Sequence, residues 1–365
     1  MWNEDDVRFM HEAHSLAKSA EGRTTPDPMV GAVLVKGGRI ITMGYHGEVT
    51  TAHAEAWAIQ KAGSQAKGAT LYLNLEPCCF FANKNNPPCA DLIIGAGIRE
   101  VVASMKDPNP RVRGKGFRLL KRHGIKVRVG LLENEARRLN EVFVKYIMTK
   151  RPFVALKTAM TIDGKIATRT GASRWVAGKE SLRHAHHLRN VYDAILVGVN
   201  TVLIDNPKLT VRLVKRVKNP VRIVLDALAR TPLNADVLGK GARTIIVVSP
   251  KAPGRRVAAL KKKGAEILKV KARRGLIDMK ALMRELGKLK ITSVLLEGGG
   301  EVAASALKAK VVDRAYFFIV PKIFGGRDAK TPVEGDGVKL PAQAIHLKDI
   351  HTERVGEDIL VTGYL

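Results

Sequence analysis

The chain has 365 residues, of which 45% are apolar and 26% charged. This balance suits a globular fold and excludes collagen-like, disordered and disulfide-scaffold classes. At roughly 100–200 residues per domain, the length predicts two domains. The formal charge is +28, with 22 basic against 15 acidic side chains in residues 1–150 and 40 against 19 in the rest. Such a field suits phosphorylated ligands, nucleic acid or anionic surfaces. The basic residues run through the whole chain, however, and even the stretch from Lys251 to Arg274 is interrupted by apolar residues. A solvated Lys-rich surface is therefore expected. Aromatics, at 5%, are too few to suggest base-stacking platforms. No run reaches the ~18 apolar residues of a membrane span. The acidic start, Glu4-Asp5-Asp6, has no apolar h-region, so a cytoplasmic protein is expected.

In chain order, residues 4–20 predict a helix. Strands are predicted at Val30–Val35, Arg39–Met43, Thr70–Leu75, Glu100–Ser104 and Lys126–Val129, with helices at 54–62, 90–96, 115–123 and 133–146. Strands alternating with helices indicate an α/β sheet covered on both faces. A first domain over 1–147 and a linker over 148–152 follow, because Pro152 biases Arg151 away from helix. A second α/β series over 153–365 has strands at Phe153–Thr158, Ala194–Gly198, Arg222–Asp226, Arg243–Val248, Ser293–Glu297 and Arg314–Val320. Its helices are predicted at 179–190, 276–288 and 301–308.

All three cysteines lie between positions 78 and 89. An odd, clustered set is poor disulfide material and good metal or catalytic material. His53-Ala54-Glu55 sits at a loop-to-helix junction, followed by Glu76-Pro77-Cys78 and Pro87-Pro88-Cys89. His53, Cys78 and Cys89 supply three ligands and leave a fourth tetrahedral position open, the pattern of catalytic zinc. Zinc lowers the pKa of water towards roughly 7, and Glu55 stands where it can carry a proton to a leaving amine. Each residue alone reads as packing or helix start; their joint order favours the metal. Cys78 is chosen over Cys79 because it directly follows Pro77.

Together with Pro26-Asp27-Pro28-Met29-Val30-Gly31, Gly44-Tyr45-His46 and Asp107-Pro108-Asn109-Pro110, these motifs resemble the deaminase half of the bifunctional riboflavin-biosynthesis deaminase/reductases. The resemblance implies a cytidine-deaminase-like three-layer α/β/α domain. It departs at Asp27, where the family usually has Asn, at Trp57, and at the rewritten stretch 79–86. All four zinc-site residues are kept, so retained deamination is expected.

In the second half, the apolar strand Ser293–Glu297 runs into Gly298-Gly299-Gly300 and a helix. Such a turn lets backbone and a helix N-terminus approach a phosphate, although it is neither a Walker loop nor a full Rossmann fingerprint. Leu156-Lys157-Thr158-Ala159, Asp163-Gly164-Lys165, Ser173-Arg174-Trp175, Asp205-Asn206-Pro207 and Leu209-Thr210-Val211-Arg212 are similar to the family's reductase domain. That similarity implies a dihydrofolate-reductase-like fold and NADPH. By position it implies that Ala159, Trp175, Thr201, Asp205 and the loop Gly299, Gly300, Glu301, Val302, Ala303, Ala304 and Ser305 contact the cofactor. Ser173, Arg189, Leu209, Arg212 and Glu297 would contact the substrate, the two arginines as phosphate forks. Lys157 and Asp163 carry little catalytic weight. His184, His186 and His187 are expected on a solvated helix face, not in a metal site.

The resemblance thus implies Zn2+, NADPH, a phosphorylated pyrimidine substrate and self-association, with neither membrane nor nucleic acid as partner. Two alternatives stand beside it. One is a reductase whose deaminase domain has an altered substrate or none, motivated by the 79–86 stretch. The other is a basic nucleic-acid-binding protein or RNA base deaminase, motivated by the charge.

Overall fold

The computed structural model describes residues 2–80, 87–173, 176–215, 218–273 and 275–365. The chain divides into two compact units, Met1–Lys150 and Arg151–Leu365. The helix α6 named below ends at Thr149, inside the stretch expected as a linker.

Unit 1 contains α1 (Glu4–Lys18), β1 (Gly31–Lys36), β2 (Arg39–Tyr45), α2 (Ala54–Ala62), β3 (Thr70–Leu75), α3 (Cys89–Gly95), β4 (Glu100–Met105), α4 (Lys115–Arg122), β5 (Lys126–Val129), α5 (Glu133–Leu139) and α6 (Glu141–Thr149). The sheet order is β2-β1-β3-β4-β5. β1 pairs antiparallel with β2 and β3, and β3, β4 and β5 are parallel. Alternating side chains divide the sheet into two faces. Val33, Val35 and Tyr72 pack with Phe9, Met10 and Ala13 of α1. Ala32, Leu34, Leu71 and Leu73 pack with Ala58 of α2, Ile93 of α3 and Leu120 of α4. The result is three layers.

The helix expected over 133–146 is two helices, broken at Asn140. The amide of this buried residue is engaged elsewhere: Oδ1 accepts from Met29 N at 2.8 Å and Nδ2 donates to Met29 O at 2.9 Å. Asn74 also donates to Met29 O and accepts from Gly31 N. The segment leading into β1 is therefore clamped from two sides.

Unit 2 contains β6 (Phe153–Thr161), α7 (Lys179–Val191), β7 (Ala194–Gly198), α8 (Val199–Asp205), β8 (Val221–Leu225), β9 (Thr244–Val248), α9 (Gly254–Lys262), β10 (Glu266–Lys269), β11 (Ala272–Arg273), β12 (Leu276–Ile277), α10 (Met279–Lys288), β13 (Ser293–Leu296), α11 (Gly300–Lys308), β14 (Arg314–Val320), β15 (Lys348–Val355) and β16 (Asp358–Tyr364). The nine-stranded sheet runs β10-β9-β8-β7-β13-β6-β14-β16-β15. Strands β10 to β14 are parallel, and β16 and β15 close the edge antiparallel. Leu282, Leu286, Ala303 and Ala306 of α10 and α11 cover one face. Val202 and Leu260 of α8 and α9 lie against the other. Residues 276–277, expected as helix, form β12, and α10 starts at Met279 behind the capping side chain of Asp278. No helix among the described residues is long and apolar enough to cross a membrane.

One ion-pair network ties the layers of unit 1 together. Asp6, part of the capping box of α1, pairs in a fork with Arg128 of β5 at 2.7 and 2.8 Å and accepts from Tyr72 Oη at 2.8 Å. Arg128 also reaches Glu100 of β4 at 2.7 Å. The guanidinium lowers the Asp6 pKa from 3.8 to about 2. Asp6→Asn should cost unit 1 about 2 kcal/mol at neutral pH, because it removes the charge-assisted fork to Arg128, which keeps only Glu100 as its partner. The carboxylate's contribution should be complete above pH ~4 and disappear as pH falls through its folded pKa. Urea denaturation at pH 7 and pH 2.5 checks both, since the gap between wild type and variant should shrink at the lower pH.

Candidate metal centre and reductase cleft

In unit 1, His53 is the residue before α2, and Cys89 is the first residue of α3. Cys78 lies just beyond the carboxyl end of β3. His53 Nδ1 is 3.1 Å from Cys89 Sγ and 3.7 Å from Cys78 Sγ. The three ligand atoms lie within 4.8 Å of one another, and Cys89 N donates to Cys78 Sγ. Cys89 and His53 together hold the Cys78 thiol below its ordinary pKa. The hydrogen bond with Cys78 and burial push the Cys89 thiol the other way, upward. The donor set, two thiols and an imidazole on rigid elements, fits zinc. Cys79 lies outside this cluster and packs against the apolar core.

Glu55, in the first turn of α2, is buried, and burial raises its pKa. Asp27 Oδ2 approaches His46 Nε2 at 3.8 Å, and the His46 ring meets His53 edge-on at 5.3 Å. Trp57 is half exposed on α2. Phe81 to Asn86 of the rewritten stretch lie outside the described residues.

The residue that organises this site was not singled out from sequence. Glu76 is buried, and its carboxylate accepts from three backbone amides: Asp107 N at 3.1 Å, Gly114 N at 2.8 Å and Phe117 N at 3.3 Å. It thereby fastens the loop after β4 and the start of α4 against the end of β3. Gly116 completes the fit, since a Cβ there would stand 2.3 Å from Pro77 O. Asp107, drawn inside by the same loop, has its pKa pushed up to about 7 by burial.

In unit 2, a cavity of about 410 Å³ opens at the carboxyl ends of the parallel strands. Ser173, Thr201, Asp205, Gly299, Gly300, Glu301, Val302 and Ser305 line it. Ser173 Oγ donates to Asp205 Oδ1 at 2.8 Å. α8 begins directly after β7, and α11 begins after the short turn Glu297-Gly298-Gly299 that follows β13; Val199, Asn200, Gly300 and Glu301 at their starts line the cavity. At Gly300 a Cβ would stand 2.5 Å from Thr331 O. A roomy cavity flanked by two helix starts fits a dinucleotide. Ala159, on β6, and Ala303 and Ala304, on α11, are not among its lining residues, and Ala303 is in the core. Trp175 lies outside the described residues.

Arg189 and Glu297 form a bidentate pair at 2.8 Å on both arms. Lys157 joins at 3.9 Å from Glu297. Burial opposes ionisation of Glu297, yet Arg189 and Lys157 hold its pKa at about 2. Burial lowers the pKa of Lys157. Arg212 N donates to His186 Nδ1 at 3.0 Å. Leu209 is buried, with φ at 51°. His186, expected in solvent, is buried with Nδ1 accepting from Arg212 N, and His184 packs edge-on against Phe318 at 5.4 Å.

The fold and the two sites define a zinc deaminase domain joined to a reductase domain with a dinucleotide cleft. The model of the cytidine and deoxycytidylate deaminase zinc-binding region matches residues 3–105, and that of the RibD C-terminal domain matches residues 152–361. The riboflavin biosynthesis protein RibD of Actinobacillus pleuropneumoniae is 43% identical over 98% of this chain and 94% of its own length. That of Aquifex aeolicus is 43% identical over 99% of both. The structure of Acinetobacter baumannii RibD superposes with a TM-score of 0.89 at 32% identity, covering 99% of both chains. The Thermotoga maritima diaminohydroxyphosphoribosylaminopyrimidine deaminase/5-amino-6-(5-phosphoribosylamino)uracil reductase gives 0.86 at 37% identity, covering 99% of this chain and 98% of its own. The chain belongs to the RibD family of bifunctional riboflavin-biosynthesis deaminase/reductases.

Glu76→Ala should lower the stability of unit 1 by about 3 kcal/mol, because several buried N–H groups lose their acceptor. Amide exchange at Asp107, Gly114 and Phe117 should accelerate together; protection that remains at all three would contradict this role.

Proposed function

We propose that unit 1 removes the 2-amino group of 2,5-diamino-6-(5-phosphoribosylamino)pyrimidin-4(3H)-one as ammonia. Unit 2 then reduces the ribosyl chain of the product to ribityl, both steps taking place in the cytoplasm. The observation that carries this reading is the cluster of His53, Cys78 and Cys89 beside the buried Glu55. Zinc held by those three side chains supplies the Lewis acidity that makes water nucleophilic near neutral pH. Glu55 accepts a proton from the attacking water and delivers it to the departing amine. The Glu76 network keeps the Cys78 end of β3 and the Asp107 loop in fixed register while this happens.

In unit 2, NADPH supplies the hydride. Gly299–Val302, Thr201 and Asp205 hold the cofactor side of the cleft, and Ser173, bonded to Asp205, faces the substrate from its edge. Lys157, Arg189 and Glu297 form a water-poor floor on the substrate side. Because Arg189 is engaged by Glu297, Arg212 is the arm with donors to spare for the substrate phosphate.

Incubation of the protein with the diamino substrate and NADPH should release ammonia and oxidise the cofactor. Failure of both would defeat the proposal. Cys89→Ala should lose metal and ammonia release yet still reduce supplied deaminated pyrimidine. Glu55→Gln should keep the metal and lose roughly 10²–10⁴ in deamination rate.

The same reading includes self-association. β15 is an exposed sheet edge, and Ile350 on it and Ile359 on the neighbouring β16 are exposed. An uncovered edge with apolar neighbours is a template for pairing. Sedimentation should give a multiple of the single-chain mass, and a single-chain species at micromolar concentration would refute it.

A further inference from the structure

We propose that unit 2 holds an anion site, separate from the reductase cavity, that takes a di- or triphosphate group, free or carried by a nucleotide. The site is a second cavity, of about 430 Å³, at the amino end of β8. Lys208, Thr210, Arg222, Asp236, Lys240 and Lys263 are among the residues that line it. It shares no lining residue with the reductase cavity, which reaches β8 at its other end, at Leu225 and Ala227.

Arg222 forms the base. It is the second residue of β8, and side chains alternate along a strand, so it points with Val224 towards the face that carries α8 and α9. At 1% exposure it is the only buried lysine or arginine among the described residues. Its Nη1 donates to Asp236 O at 3.3 Å, and its Nη2 donates to Gly239 O at 2.6 Å and to Ala242 O. Nε is buried without a hydrogen-bond partner.

What this guanidinium lacks is a counter-charge. Arg189, in the same unit, is neutralised by Glu297. No carboxylate among the described residues pairs with Arg222, and burial alone pushes its pKa down. Carbonyl dipoles soften the charge without cancelling it, and an arginine does not shed its proton. A buried cation in this state is costly, so an anion taken from solvent is stabilising here.

The rim supplies the direct contacts. Lys208, Lys240 and Lys263 are exposed, and none is ion-paired among the described residues. Their flexible stems let the ammonium groups converge on one ligand. Thr210 Oγ1 accepts from Arg212 Nη1 at 2.9 Å, which leaves its own proton to donate. Asp236 is the one acid on the wall, so four cations less one carboxylate leave a formal charge of +3. A chloride answers only part of that field, whereas two or three linked phosphates answer it in full.

The test is calorimetric titration of the full chain with pyrophosphate and with ATP, in about 0.15 M NaCl to screen weak surface attraction. Wild type should bind both. Lys240→Gln/Lys263→Gln should weaken the binding by roughly 10- to 100-fold, as expected for losing two charge-assisted contacts. Lys121→Gln/Lys280→Gln removes two exposed charges elsewhere and should stay within about threefold of wild type. Given the loss in Lys240→Gln/Lys263→Gln, equal affinities would identify the phosphates as the whole ligand, and tighter ATP would identify a nucleotide. No binding to wild type, an unchanged affinity in Lys240→Gln/Lys263→Gln, or an equal loss in Lys121→Gln/Lys280→Gln would overturn the assignment.

Discussion

A parallel strand has to leave its sheet at the carboxyl end and return as a helix, and the first N–H groups of that helix have no partner inside it. Both sites of this protein are built on that constraint. In unit 1, Cys78 lies past the end of β3 and Asp107 past the end of β4, with the starts of α2 and α3 contributing His53 and Cys89. In unit 2, the ends of β7, β8 and β13 and the starts of α8 and α11 surround one cavity. Such edges accommodate anionic groups, the Cys78 thiolate in unit 1 and, on the function proposed above, the cofactor's phosphates in unit 2.

The two units solve the problem of loose connections differently. Unit 1 fastens its loops with buried carboxylate and amide side chains: Glu76 holds the stretch from Asp107 to Phe117, and Asn74 and Asn140 hold Met29 and Gly31. Unit 2 relies on a charged floor, in which Glu297 neutralises Arg189 and draws Lys157 inward. In each case the buried charge is satisfied by several partners, which is the condition under which burial is tolerable.

What could be read from residues alone follows from this. The metal cluster was readable because zinc chemistry demands particular residue types in order, and His53, Cys78 and Cys89 have few other reasons to occur together. Most parallel strands were readable as short apolar runs. Glu76 was not, because its partners are backbone amides 31 to 41 residues further on. The break at Asn140 was hidden for the same reason, since its amide serves a residue 111 positions away. β15 carries no alternation to detect, being exposed along nearly its whole length. Lys157 reads as one more lysine in a Lys-rich chain until β6 buries it beside Glu297.

The placement of sulfur has a toxicological consequence. All three cysteines belong to unit 1, and two of them are joined with an imidazole in a pocket suited to soft ions. Thiophilic poisons such as mercury or cadmium follow ligand softness and would find their target in the deaminating half alone. The reducing half, which has no sulfhydryl, would keep working on whatever deaminated intermediate still reached it.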